Sequence, residues 1–238
     1  MHRFTILLIL FILTDLMPQE SPAAEKNVVS LRAGFITSSR LYLNPYASEE
    51  EIRNRSFDID NIVYPSLEFR YPLSGSLYLA ATLEYISASS NGRNITVITD
   101  EGTSTIEIRD GYTVFITEGT LYYRLPFSTG NFSFYMAGGG GLYLASGIRE
   151  IGDITLNGGA PDAGAGVHVL VGMEYTLTDY AELGFQMKFR NPDLITEGEY
   201  SSVTGNYKGR RITLAKKDYK SRISIDGTVF MLGVNIRF

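Results

Sequence analysis

Acid–base or metal chemistry in this chain would have to start from histidine, and there are only two. His2 sits at the extreme amino end; His168 lies deep in the chain with Glu174 and Glu182 close behind. A carboxylate beside an imidazole can hold it ready as a general base. A hydrolase would also need a nucleophile within reach. Leu170 occupies the position two residues on and offers none. One imidazole among scattered carboxylates does not define a coordination set, so no metal and no other cofactor is expected. The chain has no Cys, which removes thiol nucleophiles, haem attachment and disulfides. The glycine run at 138–141 lacks the Lys-Ser/Thr that completes a phosphate loop.

Charge offers a second kind of chemistry. Between 191 and 222 the bases Lys208, Arg210, Arg211, Lys216, Lys217, Lys220 and Arg222 outnumber Asp193, Glu197, Glu199 and Asp218. Guanidinium and ammonium groups at that density suit a polyanion, above all phosphate groups. A plain solvated surface loop would have the same composition. Glu49, Glu50 and Glu51 supply an opposite-sign run that can pair with it. The whole chain carries a formal charge of −5, which argues against nucleic acid as a partner.

The elements that position these groups are strands. Phe230, Leu232, Val234, Ile236 and Phe238 alternate with Met231, Gly233, Asn235 and Arg237 to the last residue. That period of two marks a strand with one apolar face. Seven earlier runs repeat it, beginning near Val29, Val63, Leu77, Thr113, Phe132, Ala165 and Ala181. Each is long enough for a tilted membrane strand of ~9–11 residues. Pro72 to Gly75, Pro126 to Gly130 and Thr178 to Asp179 make short turns after the second, fourth and sixth runs. Long polar connections follow the first, third, fifth and seventh. A soluble sandwich has no reason to segregate loop lengths by side in this way. The pattern predicts an all-β fold: a transmembrane antiparallel up-and-down barrel of about eight strands. A ten-stranded wall is the alternative, should the apparent hairpin at 95–108 join it.

Residues 1–24 read as a cleaved signal peptide. Arg3 precedes an almost wholly apolar stretch from Phe4 to Leu13, Pro18 ends it, and cleavage follows Ala23 or Ala24. The stretch is short for an uncleaved anchor. The barrel is then expected over 25–238.

The segments Gly138-Gly-Gly-Gly-Leu-Tyr-Leu144, Gly164-Ala-Gly-Val-His-Val-Leu-Val-Gly-Met-Glu-Tyr175 and Leu183-Gly-Phe-Gln-Met-Lys-Phe-Arg190, with the last twelve residues, resemble the small outer-membrane β-barrel family. That family includes the OmpA and OmpX transmembrane domains and opacity-type proteins. The resemblance implies residence in the outer membrane of a Gram-negative bacterium, beside lipopolysaccharide, and a monomer. It further implies that the strand ending in Phe238 is the signal read by the barrel-assembly machinery. It does not cover the long loops. Enzymes exist in such membranes, but lipid A deacylases place a Ser where this chain has Leu170, and omptin proteases pair His with two Asp.

The inward faces carry Arg32, Glu68, Arg70, Glu84, Glu118, Arg124, His168, Glu174, Glu182, Lys188, Arg190 and Arg237. An interior of about eight strands is just wide enough to be filled by side chains. Charges there must pair. A charged plug is therefore expected, with a narrow ion path as the alternative. Inward glycines on the fifth to seventh strands and inward Tyr64, Tyr78 and Tyr122 suggest small residues facing large ones across the lumen. The expected role is structural or surface-interacting, through outward loops that can meet an extracellular ligand. A small channel for ions or hydrophobic solutes is the alternative, and a lipid-modifying enzyme the remote one.

Overall fold

The computed structural model describes residues 26–238, apart from 101, 129 and 158–160 and the side chains of 93 and 94. The expected signal peptide at 1–24 lies outside the described residues. The wall of the barrel begins with β1 (Val28–Tyr42), β2 (Ser56–Ser74), β3 (Leu77–Thr99), β4 (Gly102–Arg124) and β5 (Phe132–Ile151). It continues with the short β6 (Ile154–Asn157), then β7 (Asp162–Thr178), β8 (Ala181–Arg190) and β9 (Asp193–Tyr200). The hairpin of β10 (Thr204–Tyr207) and β11 (Arg210–Thr213) leads to β12 (Asp218–Ser224) and β13 (Val229–Arg237). A short helix, α1 (Glu50–Arg53), interrupts the first connection.

Every pairing is antiparallel, and β13 closes on β1 through a register from Val28↔Arg237 to Ile36↔Val229. The result is an eight-stranded ring in which β8 with β9 form the seventh strand and β12 with β13 the eighth. Short turns join β2 to β3, β4 to β5 and β7 to β8, at the end that also holds Phe238. There the Phe238 amide donates to the Asn27 carbonyl at 3.0 Å. Full closure satisfies the backbone without water, which a lipid-facing sheet requires.

The expected alternation holds on the outer surface. Leu31, Val63, Leu79, Leu121, Leu142, Val167, Val169 and Leu232 face outward and exposed. Tyr71, Tyr123, Phe132, Tyr175, Tyr180 and Phe238 ring the short-turn edge of this belt, and Tyr85, Phe115 and Phe189 ring the other. Two aromatic girdles flanking an apolar band match a bilayer-spanning barrel.

Three sequence expectations change. The apparent hairpin at 95–108 is neither a separate projection nor an extra pair of wall strands. β3 and β4 run unbroken through it, pairing up to Thr99↔Gly102. Ile95 opposite Ile106, with Val97 and Ile108 nearby, keeps the β-branched alternation going. The long polar connection expected after the seventh run is mostly strand, β9 to β12.

The third change concerns polarity. Going up the wall, the outer face turns from Tyr85 to Ser87, from Phe115 to Thr113, and from Val63 to Asn61 and Asp60. At the same level the inner face turns from Glu84 to Ile86, from Glu118 to Ile116, and from Arg32 to Ile36. The sequence predicts a charged plug for the lumen. Instead the upper barrel has an apolar core of Ile36, Ile62, Ile86, Tyr112, Val114, Ile116, Ile223 and Met231. The reason is solvent: where the outside meets water, burying apolar groups inside becomes the stable arrangement. Residues 102–113 of β4, at ~3.4 Å rise and a tilt near 40°, carry the wall roughly 30 Å beyond the belt.

Candidate functional site

Two regions combine chemistry with enclosure: the charged lower lumen, and a cup at the long-loop end. In the lumen, Glu68 is the hub of the lower network. Its Oε1 takes Arg70 Nε at 2.6 Å and Arg32 Nη1 at 3.0 Å. Its Oε2 accepts Tyr122 Oη at 2.6 Å and Thr82 Oγ1 at 3.2 Å. Arg70 also reaches Glu174 at 2.6 Å, and Asn235 joins Glu174 to Arg32. Above it, Lys188 Nζ sits 2.7 Å from both Glu84 and Glu118. Arg190 contacts Glu84 at 2.6 Å and donates to Tyr64 Oη at 3.2 Å. Gln186, two residues before Lys188 on β8, donates to Tyr122 of the lower network. At the bottom Arg237 pairs with Glu182.

Of the inward charges named from sequence, ten lie fully inside this network: Arg32, Glu68, Arg70, Glu84, Glu118, His168, Glu174, Glu182, Lys188 and Arg190. Arg237 is half-buried at the periphery, though its partner Glu182 is fully buried. Arg124 is also half-buried, and its guanidinium stacks on Tyr78 instead, 5.1 Å from the ring centre. His168 is enclosed between Thr120, 2.9 Å from Nε2, and Glu118, 3.6 Å from Nδ1. Glu174 and Glu182, its neighbours in sequence, are engaged with Arg70 and Arg237. Among the described residues no three His, Cys, Asp or Glu side chains converge as a metal site would need.

Bulk is matched between adjacent strands rather than across the lumen. Tyr64 lies over Gly34, Tyr135 over Gly172 and Tyr143 over Gly166, each pair on neighbouring strands. At Gly34 an added β-carbon would fall 2.3 Å from the Tyr64 ring. The glycines let large phenols lie flat against the wall, and the hydroxyls of Tyr64 and Tyr143 then reach Arg190 and Glu118.

One part of the wall lacks a continuous ladder. β7 pairs with β8 only from His168↔Arg190 downward, while β9 pairs with β6 through Leu156↔Tyr200. Pro192, which has no amide hydrogen to give, marks the break. Leu194 fills the seam against Gly164, and Pro192 packs near Gly166.

The cup lies above the apolar core. Its cavity, about 880 Å³, is bounded by residues 43–47, Ile52 and Arg55, Ile95 to Ile98, Arg149, Ile151, Tyr200 and residues 213–216 and 218–220. Its floor is a second apolar cluster that includes Val97, Ile151, Tyr200 and Tyr219. Burial pushes the Tyr200 phenol up to about 12, so the floor stays uncharged at neutral pH. Arg149, buried in the wall, approaches Asp110 at 3.4 Å and stacks on Tyr219.

The loop bases named from sequence do not form one patch. Lys217 pairs with Glu199 at 2.6 Å and Lys220 with Glu197 at 2.7 Å, across the β9–β12 ladder. Lys208 sits by Tyr207 at a hairpin tip, and Arg210 and Arg211 lie on β11. Lys216 lines the cup. The acidic run at 49–51 overlaps α1. Sequence alone carries no signal for the cup, since it needs segments from four long connections to converge.

No protein-family model matches this chain, and no curated protein matches it in sequence. Solved structures do match in shape. The outer membrane protein OprG from Pseudomonas aeruginosa aligns over 90% of this chain and 96% of its own, at 12% identity and a TM-score of 0.59. Neisserial surface protein A aligns over 89% and 97%, at 12% identity and a TM-score of 0.46. The outer membrane protease OmpT from Escherichia coli aligns over 92% and 99%, at 11% identity and a TM-score of 0.47. The fold is that of the small outer-membrane β-barrels.

Proposed function

We propose that this protein is an outer-membrane barrel with a structural and surface-interaction role, its lumen held closed and its long-loop end presented to the outside. The observation that supports this best is the stacking of two unlike seals. The lower lumen is filled by paired charges, and the upper lumen by an apolar core of residues such as Ile36, Ile86 and Ile116, all with 0% exposure. An ion crossing would have to disrupt both, and neither layer offers it a substitute hydration shell. Planar-bilayer recording of the refolded barrel tests the reading: a silent bilayer is expected, and stable open steps abolished by Glu118→Gln would overturn it.

In this reading the loops meet their partners outside the cell. Lys208, Arg210, Arg211, Lys216, Lys217 and Lys220 serve lipopolysaccharide phosphates or another polyanion, Phe238 serves the assembly machinery, and the barrel acts as a monomer. Neutralising Lys208, Arg211 and Lys216 together should weaken heparin retention in proportion to salt. Unchanged retention would remove the polyanion role.

One observation favours a second reading, passage of small hydrophobic solutes. The seam at Gly164 and Leu194 adjoins the apolar core at the upper edge of the outer apolar band, beside exposed Leu144. Faster entry of an apolar dye into barrel-containing vesicles, at unchanged ion conductance, would favour it.

A further inference from the structure

The cup is deep, apolar below and cationic above, which is more than a surface contact requires. We propose that it is a binding site for a free amphipathic anion, a long acyl chain ending in a carboxylate, taken up tail first from the medium. This rests on the reading that the long-loop end is the interacting end, and it adds the ligand's chemical class.

The lining argues for each part of such a molecule. Leu43, Ile95 and Leu214, only partly buried, offer apolar surface to a tail, over a closed floor that includes Val97 and Ile151. The volume falls within the ~300–1,000 Å³ of small-ligand pockets. Around the cavity stand Arg55, Lys216 and Lys220 with Asp218 as the acid among the lining residues. Lys220 is already matched by Glu197. Arg55 and Lys216 show no ion-pair partner among the described residues, so the mouth has a net positive charge available to a head group. Ile52 and Ile98, 42% and 54% exposed, are apolar side chains facing water at the cavity until something covers them.

Position decides the source. The cup is built from the upper ends of strands whose outer faces have already turned polar, so it stands clear of the belt. A membrane lipid would have to leave the bilayer to reach it. Lipid A, with several chains on one head group, exceeds a single cavity of about 880 Å³.

The test uses the full-length barrel refolded into nanodiscs, with empty nanodiscs subtracted and heat-modifiable gel mobility as the folding control. The probe is parinaric acid, a fluorescent polyene fatty acid, compared with its methyl ester. Saturable binding of the acid is expected, about tenfold tighter than the ester. Arg55→Glu with Lys216→Glu should abolish that preference while leaving ester binding intact. Leu214→Asp should weaken both probes together. Equal binding of acid and ester by the unaltered barrel, or no saturable binding, would overturn the proposal. So would displacement of the probe by lipopolysaccharide but not by oleate, since the site would then belong to a membrane lipid. A barrel that conducts ions yet binds the acid would refute the sealed lumen and leave the ligand standing, so the two failures are separable.

Discussion

Tyr64 lies across Gly34 so closely that a single methyl group on the glycine would touch its ring at 2.3 Å. The two are register partners on β2 and β1, and the Tyr64 hydroxyl takes a hydrogen bond from Arg190. Gly34→Val should therefore push the phenol into the lumen and break that bond. Overpacking of this kind costs about 1–3 kcal/mol. A lowered urea midpoint of the vesicle-embedded barrel checks it. The same substitution in a Tyr64→Ala background should cost much less, because the clash is gone.

Lys188 holds two carboxylates at once, Glu84 and Glu118. Removing one member of a buried ion set costs about 3–5 kcal/mol, because a charge is left without its partner. Lys188→Met is expected to lower stability by that order. Adding Glu118→Gln should recover much of the loss by removing the charge left over, since Glu84 keeps Arg190 at 2.6 Å. A single variant as stable as the parent would mean that the network contributes nothing to folding.

The seam should be visible to hydrogen exchange. Residues 163–167 of β7 pair with β5 on one side, but the ladder to β8 begins only at His168. Amides with a partner on one edge open more readily. Exchange at 163–167 is expected to run faster than at 168–174. Equal protection along β7 would show the seam to be closed in solution.

Phe238 is 61% exposed, and its amide is fixed to Asn27, so its ring lies outward at the short-turn edge. If it serves assembly, Phe238→Ala should reduce the amount of folded barrel in cells. Refolding of the purified chain into detergent should scarcely change. A matching loss in both assays would make the residue merely structural.

The parity of each wall strand could be read directly from sequence, because period two needs only neighbouring residues. Arg32, Glu68, Glu84 and Glu118 were placed inward for that reason, and they are buried. The level at which the wall changes character was also written there, in the steps from Tyr85 to Ser87 and from Glu84 to Ile86. A pattern followed by its outward apolar residues stops at that step and leaves the inward apolar run above it out of sight. The match of Tyr64 to Gly34 could not be read, since it depends on the register between two strands. The cup was hidden for the same reason at longer range: Arg55, Val97, Leu214 and Lys216 meet only once the ring has closed.

The change of polarity along the wall has a mechanical side. It acts as a depth stop. Sinking by one pair of residues would carry Asp60, Asp58 and Arg40 toward hydrocarbon, and a Lys or Arg at the bilayer midplane costs ~2–4 kcal/mol, less nearer the surface. Rising would draw Tyr85 and Phe115 out of the lipid that suits them. The barrel is thus pinned along the membrane normal, and everything built on its upper rim is held at a fixed height above the bilayer.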